Sequence, residues 1–227
     1  MRTLITTDVH GQYHELRACL ELAGFVPAND RLICLGDSVD RGPDSFKVIE
    51  YLRKLPNLVY ILGNHDQWFM EWLEHSRRPE LWLDQGGNET LDSYPEGFDK
   101  SLHLEFFKKA LPYYIEDDIV FVHAGWTKIT NRIDDSTNIK DNYYWNRFLW
   151  RYLVDCSINK SESSIKIPHK HVFKGHDTVF RKRQNDTLLA KEAKPVTISN
   201  VTNLDTGSAY GGKLTVMELE TRKYWQV

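Results

Sequence analysis

Five short stretches of this 227-residue chain place metal-binding or proton-carrying side chains directly after an apolar run: "TTDVHG" (6–11), "CLGDSVDRG" (34–42), "YILGNHD" (60–66), "FVHAG" (121–125) and "FKGHD" (173–177). Together they supply Asp8, His10, Asp37, Asn64, His123 and His176. Aspartate oxygen and histidine nitrogen suit borderline divalent ions such as manganese, iron or zinc. Six ligands exceed what one tetrahedral ion takes; they suit two ions if one carboxylate bridges both. Asp8 and His10 stand two residues apart, so in extended chain they point the same way. Taken singly, Asp8 serves equally well as a helix cap, His123 as a hydrogen-bonded core histidine, and Gly-Asn-His as an ordinary turn. Five such clusters at five strand ends are a different matter, because ligands gather where loops converge at the carboxyl ends of strands.

The elements that must position these groups follow from periodicity. Leu4 to Thr7, Arg31 to Leu35 and Leu58 to Leu62 read as short buried strands. Tyr13 to Ala23 has helical spacing with Gly24 as a stop, Pro43 opens a helix running to about Leu55, and Gln67 to His75 is a third. Residues 76–112 read as mostly helical, broken at "DQGGNE" and "YPEGFD". Then "YYIEDDIVFVHAG" predicts two strands joined at Glu116–Asp118, 138–155 an aromatic-rich helix, and "SINKSESSIKIPHK" an exposed loop. The end is strand-rich. A βαβα half followed by a strand-rich half predicts an α/β fold of two packed sheets with helices outside.

Elsewhere the structural reading of each residue is preferred. His14, His75 and His103 sit in helical segments as surface or packing residues, and His169 and His171 belong to an exposed loop and strand start. Trp68, Phe69 and Trp72 have helical spacing and read as core, as do Tyr143, Tyr144 and Trp145. Cys19, Cys34 and Cys156 are odd in number and set among apolar neighbours, the pattern of reduced packing residues in a cytoplasmic protein. A formal net charge of -3 argues against a nucleic-acid or anionic-membrane surface. No apolar run approaches the roughly 20 residues of a membrane span, and the apolar part of "MRTLITTDVHG" is too short for a signal peptide.

The ordered set "DVHG", "GDSVDRG", "GNHD", "HAG" and "GH", continuing to "LDTGSAYGGKLTVMEL", resembles the phosphoprotein phosphatase branch of the calcineurin-like metallophosphoesterases, in particular its small bacterial and phage (lambda-type) serine/threonine protein phosphatases. The resemblance spans nearly the whole chain. It implies a four-layer αββα sandwich of two mixed sheets, one domain over 1–227, and a centre of two divalent ions, manganese first, with iron or zinc as alternatives. Asp8, His10 and Asp37 would hold the first ion. Asp37 would bridge to a second completed by Asn64, His123 and His176. His65 matches a general acid, Asp40 the carboxylate orienting it, Arg41 a phosphate-binding arginine, and Arg147 in "YYWNRF" a second one. Direct attack by a metal-bridging hydroxide on a phosphate ester is the implied reaction.

The substrate is less directly written. Asp66 stands where many protein phosphatases have Glu, and "GHD" replaces "GHT". "GNHD" also occurs in diadenosine tetraphosphate hydrolases of the same branch, which commonly lack the aspartate found here as Asp40. Asp40 therefore favours a phosphoserine or phosphothreonine phosphatase acting on a protein or peptide. A dinucleoside polyphosphate hydrolase acting on a small nucleotide is the alternative. The absence of "GHxH" argues against phosphodiesterases and nucleases. A metal-free binding scaffold would show lost ligands, and all six positions are filled. Segments 76–112 and 157–170 are candidate walls of a substrate groove.

Overall fold

Side chains along the central strands alternate between two separate cores, and this alternation builds the layers. In β1 (Thr3–Thr6) Leu4 joins one core and Ile5 the other. In β2 (Arg31–Cys34) Leu32 and Cys34 face the first and Ile33 the second. The second core also takes Ile61, Ile119, Phe121, Phe173, Leu204 and Met217, and it is the seam between two sheets. The first core takes the opposite faces, against the helices. The computed structural model describes residues 1–126, 139–163, 167–179 and 192–227.

Both sheets are mixed and five-stranded. With β3 at Leu58–Tyr60, β9 at Thr215–Glu218 and β10 at Tyr224–Gln226, the first runs β10-β9-β1-β2-β3. Strands β1, β2 and β3 are parallel, β9 runs antiparallel to β1, and β10 antiparallel to β9. The second, of β4 (Tyr113–Glu116), β5 (Ile119–Val122), β6 (His171–Lys174), β7 (Val196–Ile198) and β8 (Val201–Asn203), runs β4-β5-β6-β8-β7 with β5, β6 and β8 parallel. The β4–β5 turn passes through Asp117 and Asp118, both at positive φ, the two-residue hairpin geometry that matches strand twist. This is the expected sandwich.

Helix limits show local chemistry that periodicity misses. Helix α1 (Tyr13–Leu22) buries Leu16, Cys19 and Leu20. Helix α2 (Ser45–Leu52) starts after Pro43, with Asp44 still outside helical geometry. It stops before Leu55, whose successor Pro56 disfavours helical backbone. Helix α3 (Asn64–His75) starts three residues earlier than expected, so Asn64, His65 and Asp66 form its first turn. Between α4 (Glu80–Trp82) and α5 (Asn88–Ser93) the chain kinks at Gln85 and Gly86, inside "DQGGNE", and "YPEGFD" separates α5 from α6 (Lys100–Lys108). The single helix expected over 138–155 is two, α7 (Ile139–Trp145) and α8 (Phe148–Ile158). Asn146 makes the break, its side-chain oxygen accepting the Phe148 N–H at 2.8 Å. Residue 138, and 164–166 of the expected loop, lie outside the described residues.

The packing expectations hold in part. His103 is fully buried, while His14 and His75 are exposed. His169 is half-buried and paired with Asp118, and His171 is half-buried against Phe173 and bonded to Thr202. Phe69, Trp72, Tyr143 and Tyr144 are core, but Trp145 is exposed and Trp68 only half-buried. All three cysteines are buried and free. Among the described residues no helix is long and apolar enough to cross a membrane.

Candidate active site

The site groups sit just past the carboxyl ends of parallel strands. Asp8 follows β1, Asp37 β2, Asn64 β3, His123 β5 and His176 β6. Each sheet thus contributes loops to one edge of the sandwich. The backbone there is bent into unusual shapes. Asp8 (φ 47°), His10 (46°), Asp37 (52°), Asp40 (72°), Arg41 (69°) and His176 (70°) all have positive φ. Such geometry costs of order 1–3 kcal/mol per non-glycine residue and persists where surroundings enforce it. The close approach of chains enforces it here: a Cβ on Gly63 would lie 2.1 Å from the Asp37 carboxylate.

Two triads of potential ligand atoms share Asp37. His10, Asp37 and His65 form one, and Asp37, His123 and His176 the other, with ligand atoms within 4.8 Å of one another in each. Asp8 lies 3.9 Å from His10 Nε2, and Asn64 Oδ1 is 3.1 Å from His123 Nε2. All six expected ligands therefore meet, and His65 stands with them. His10 and His123 donate Nδ1–H to the carbonyls of Val39 and Leu35, both at 2.8 Å, which turns each Nε2 into the site. Asp8 is held by Thr7 Oγ1 (2.5 Å) and the His176 N–H (3.0 Å).

These donors fit divalent ions by type and by charge. Burial resists charge on Asp37, yet His123 and His65 hold its carboxyl well below the usual range. Burial likewise opposes protonation of His123, but Asp37 and Asp8 overcome it and hold the imidazole up at about 9. A protonated His123 thus supplies positive charge that a cation between the carboxylates would supply. Burial pushes Asp8 up, and His10 and His176 well down.

Around this centre stand the proton-handling and phosphate-binding candidates. His65 Nδ1 donates to Asp40 at 2.6 Å. Asp40, fully buried, also accepts from the Trp82 indole (2.9 Å) and the Thr90 hydroxyl (2.8 Å). Arg41 donates to Nε2 of His10 and to Nε2 of His65 (2.8 Å). Arg147 Nε donates to His176 Nε2 at 2.9 Å and lies 3.2 Å from Asp177. All four expected catalytic residues are at the site.

Sequence reasoning missed what supports them. Asp66 is the hub of the β2–β3 end: it accepts from the N–H groups of Asp37, Ser38 and Gly63 and from the Tyr60 hydroxyl, at 2.9–3.1 Å. Burial and the neighbouring Asp37 push its carboxyl up to about 7. Asp205, buried past the end of β8 in "LDTG", faces Asp8; a sixth strand end carrying an acid was a readable signal. Tyr210 lies under the Arg41 guanidinium at 4.9 Å. Trp68 packs edge-on against both His65 and Trp145. Gly86 (φ 104°) accepts the Arg41 N–H at 3.1 Å, and a Cβ there would lie 2.3 Å from that nitrogen.

The calcineurin-like phosphoesterase family matches residues 1–200, and the chain belongs to that family of hydrolases. It is 25% identical to a symmetrical bis(5'-nucleosyl)-tetraphosphatase of Methylobacillus flagellatus, covering 100% of this chain and 95% of that one. The homologue from Edwardsiella ictaluri is 54% identical over 67 residues, which span 29% of this chain and only 24% of that protein. Among solved structures, one assigned as a diadenosine tetraphosphatase superposes with a TM-score of 0.63 at 20% identity, covering 100% of this chain and 92% of the other. A serine/threonine phosphatase from Saccharomyces cerevisiae gives 0.62 at 13%, over 97% and 73%. Those superpositions bear on the fold alone.

Proposed function

We propose that the protein is a divalent-metal-dependent hydrolase of dinucleoside polyphosphates, splitting a bis-nucleoside tetraphosphate into two nucleoside diphosphates. The supporting observation is the end-to-end likeness to a tetraphosphatase named for that reaction. This reverses the preference for a protein phosphatase drawn from Asp40. Asp40 fits either substrate, because it orients His65, and both reactions expel an oxygen leaving group.

In this reading Asp8, His10 and Asp37 would hold one ion, and Asp37, Asn64, His123 and His176 the other, with manganese the first candidate. Bound there, divalent ions would acidify water and offset phosphoryl charge. The remaining work belongs to the chain. Arg41 and Arg147 turn from their histidine contacts to non-bridging phosphate oxygens, bidentately where the fork allows. Their retreat leaves His65 Nε2 facing the departing oxygen, with Nδ1 fixed by Asp40. The Asn64 side-chain amide lies beside the phosphate position. Half-buried Trp68 and exposed Trp145 pack edge-on against each other on one side and narrow the access of water to the reacting edge. We place all of 1–227 in one domain, with 76–112 and 157–170 as walls of the substrate groove.

The deciding experiment compares diadenosine tetraphosphate with a phosphoserine peptide on manganese-loaded enzyme, with products separated by chromatography. Turnover of the dinucleotide to ADP alone is expected. Turnover of the peptide with no attack on the dinucleotide would restore the protein phosphatase reading.

A further inference from the structure

The break between α7 and α8 does more than present Arg147. It opens a groove of ≈ 440 Å³ lined by Asn146, Arg147, Phe148, Arg151, Tyr152 and Asp155. One of its lining residues, Arg147, is bonded to the ligand candidate His176, so the groove adjoins the metal centre through that side chain. Arg151 lies four residues on, one helical turn or about 6 Å further out on the same face. Among the described residues Arg151 has no ion-pair partner. Beside this cationic row Phe148 and Tyr152 make a second one, their rings stacked at 5.9 Å and 20°. Phe148 is 45% exposed, an apolar ring presented to solvent at the mouth of a polar site. Asp155 ends the row with a negative charge, which disfavours any further phosphate there.

We infer that this groove holds one nucleoside diphosphate half of the substrate. Arg147 and Arg151 take successive phosphates, the base lies on the Phe148–Tyr152 face, and Asp155 meets the ribose end. The inference rests on the dinucleotide reading of the site, and its chemistry is specific to that class. A row of cations draws a polyphosphate chain, whereas a phosphomonoester offers a single anionic group. Flat rings bind any base through its π face. A simple phosphate ester reaches only as far as Arg147.

Calorimetric titration of manganese-loaded enzyme with ADP and, as a base-free probe, with tripolyphosphate tests this. Arg151→Gln is expected to weaken both ligands roughly tenfold, the loss of a charge-assisted contact. Phe148→Ala is expected to weaken ADP by a similar factor of roughly tenfold and leave tripolyphosphate unchanged. Both variants should hydrolyse p-nitrophenyl phosphate with the parent's kcat/KM, which also reports that each is folded. Equal ADP affinity in the parent and both variants, or no ADP binding by the parent, overturns the assignment. So does a parallel loss on p-nitrophenyl phosphate. A parent that hydrolyses p-nitrophenyl phosphate and not diadenosine tetraphosphate overturns the proposed function instead. In that case ADP binding that Arg151→Gln weakens still supports the groove, and unchanged binding still overturns it.

Discussion

His65 is gripped through both ring nitrogens, by Asp40 at Nδ1 and Arg41 at Nε2, and it also stands among potential metal ligands. Proton donor and ligand are distinct roles with distinct consequences. A donor matters in proportion to the basicity of the leaving group, while a ligand matters for every substrate. His65→Asn should therefore keep its metal and slow phenyl phosphate hydrolysis by roughly 10²–10⁴. The loss should be smaller for p-nitrophenyl phosphate, whose leaving group is a weak base, provided chemistry limits both rates in single-turnover measurements. Equal losses with metal retained would leave His65 a positioning group, and loss of metal by elemental analysis would make it a ligand. The residues of this centre were legible because their types are rare at strand ends. Tyr210 and Trp68 were not, since an aromatic residue at helical or loop spacing reads as packing until its neighbour is known.

At the scale of elements, the α4–α5 segment reaches behind the site and holds Asp40 through Trp82 and Thr90. Trp82 is fully buried, and its indole N–H points at a carboxylate 42 residues away in sequence. Trp82→Phe keeps an aromatic ring but removes the donor and the pyrrole half of the indole; the lost bond to a charged group alone costs about 1.5–3 kcal/mol. Its rate loss should follow the leaving-group dependence of His65→Asn, because Trp82 acts only through Asp40 and His65. A loss independent of the leaving group would mark general damage instead. No pattern in one sequence reveals such a contact: "DQGGNE" looks like a turn whether or not Gly86 must lie against Arg41. The βαβα half was legible because its strands and helices are short, periodic and joined locally. The start of α3 was not, because Asn64, His65 and Asp66 are as polar as a loop, and the Asn146 break was hidden inside an unbroken aromatic run. Helix α2 carries a pH-dependent tie as well. Hydrogen bonds from Arg53, with further ones from Lys54 and buried His103, draw the Glu50 carboxyl from 4.5 down to about 2. A depressed folded-state value means the tie is complete above pH 4.5 and fades as pH falls toward 2. The melting-temperature gap between the parent and Glu50→Gln should shrink over that window; a gap that widened there would contradict the sign.

At the scale of the molecule, the metal centre sits where the two sheets present their loops, so each proposed ion would be held by residues from separate parts of the chain. Asp37 comes from the first sheet and His123 and His176 from the second, with Asp8, Asp66 and Asp205 buried nearby. Unfolding scatters these groups, so a cation that binds only the folded arrangement must stabilise it. At a free concentration 100 times Kd the gain is about 2.7 kcal/mol. For a chain of this size that corresponds to a rise in Tm of roughly 5–10 °C. Chelator-treated protein should also be inactive and recover when manganese is returned. The shift must depend on the shared carboxylate: Asp37→Asn should bind less metal, lose most activity and show little of the rise. Parent protein with the same Tm at saturating manganese, iron or zinc as in chelator, and with full activity in chelator, would remove the two-ion reading altogether.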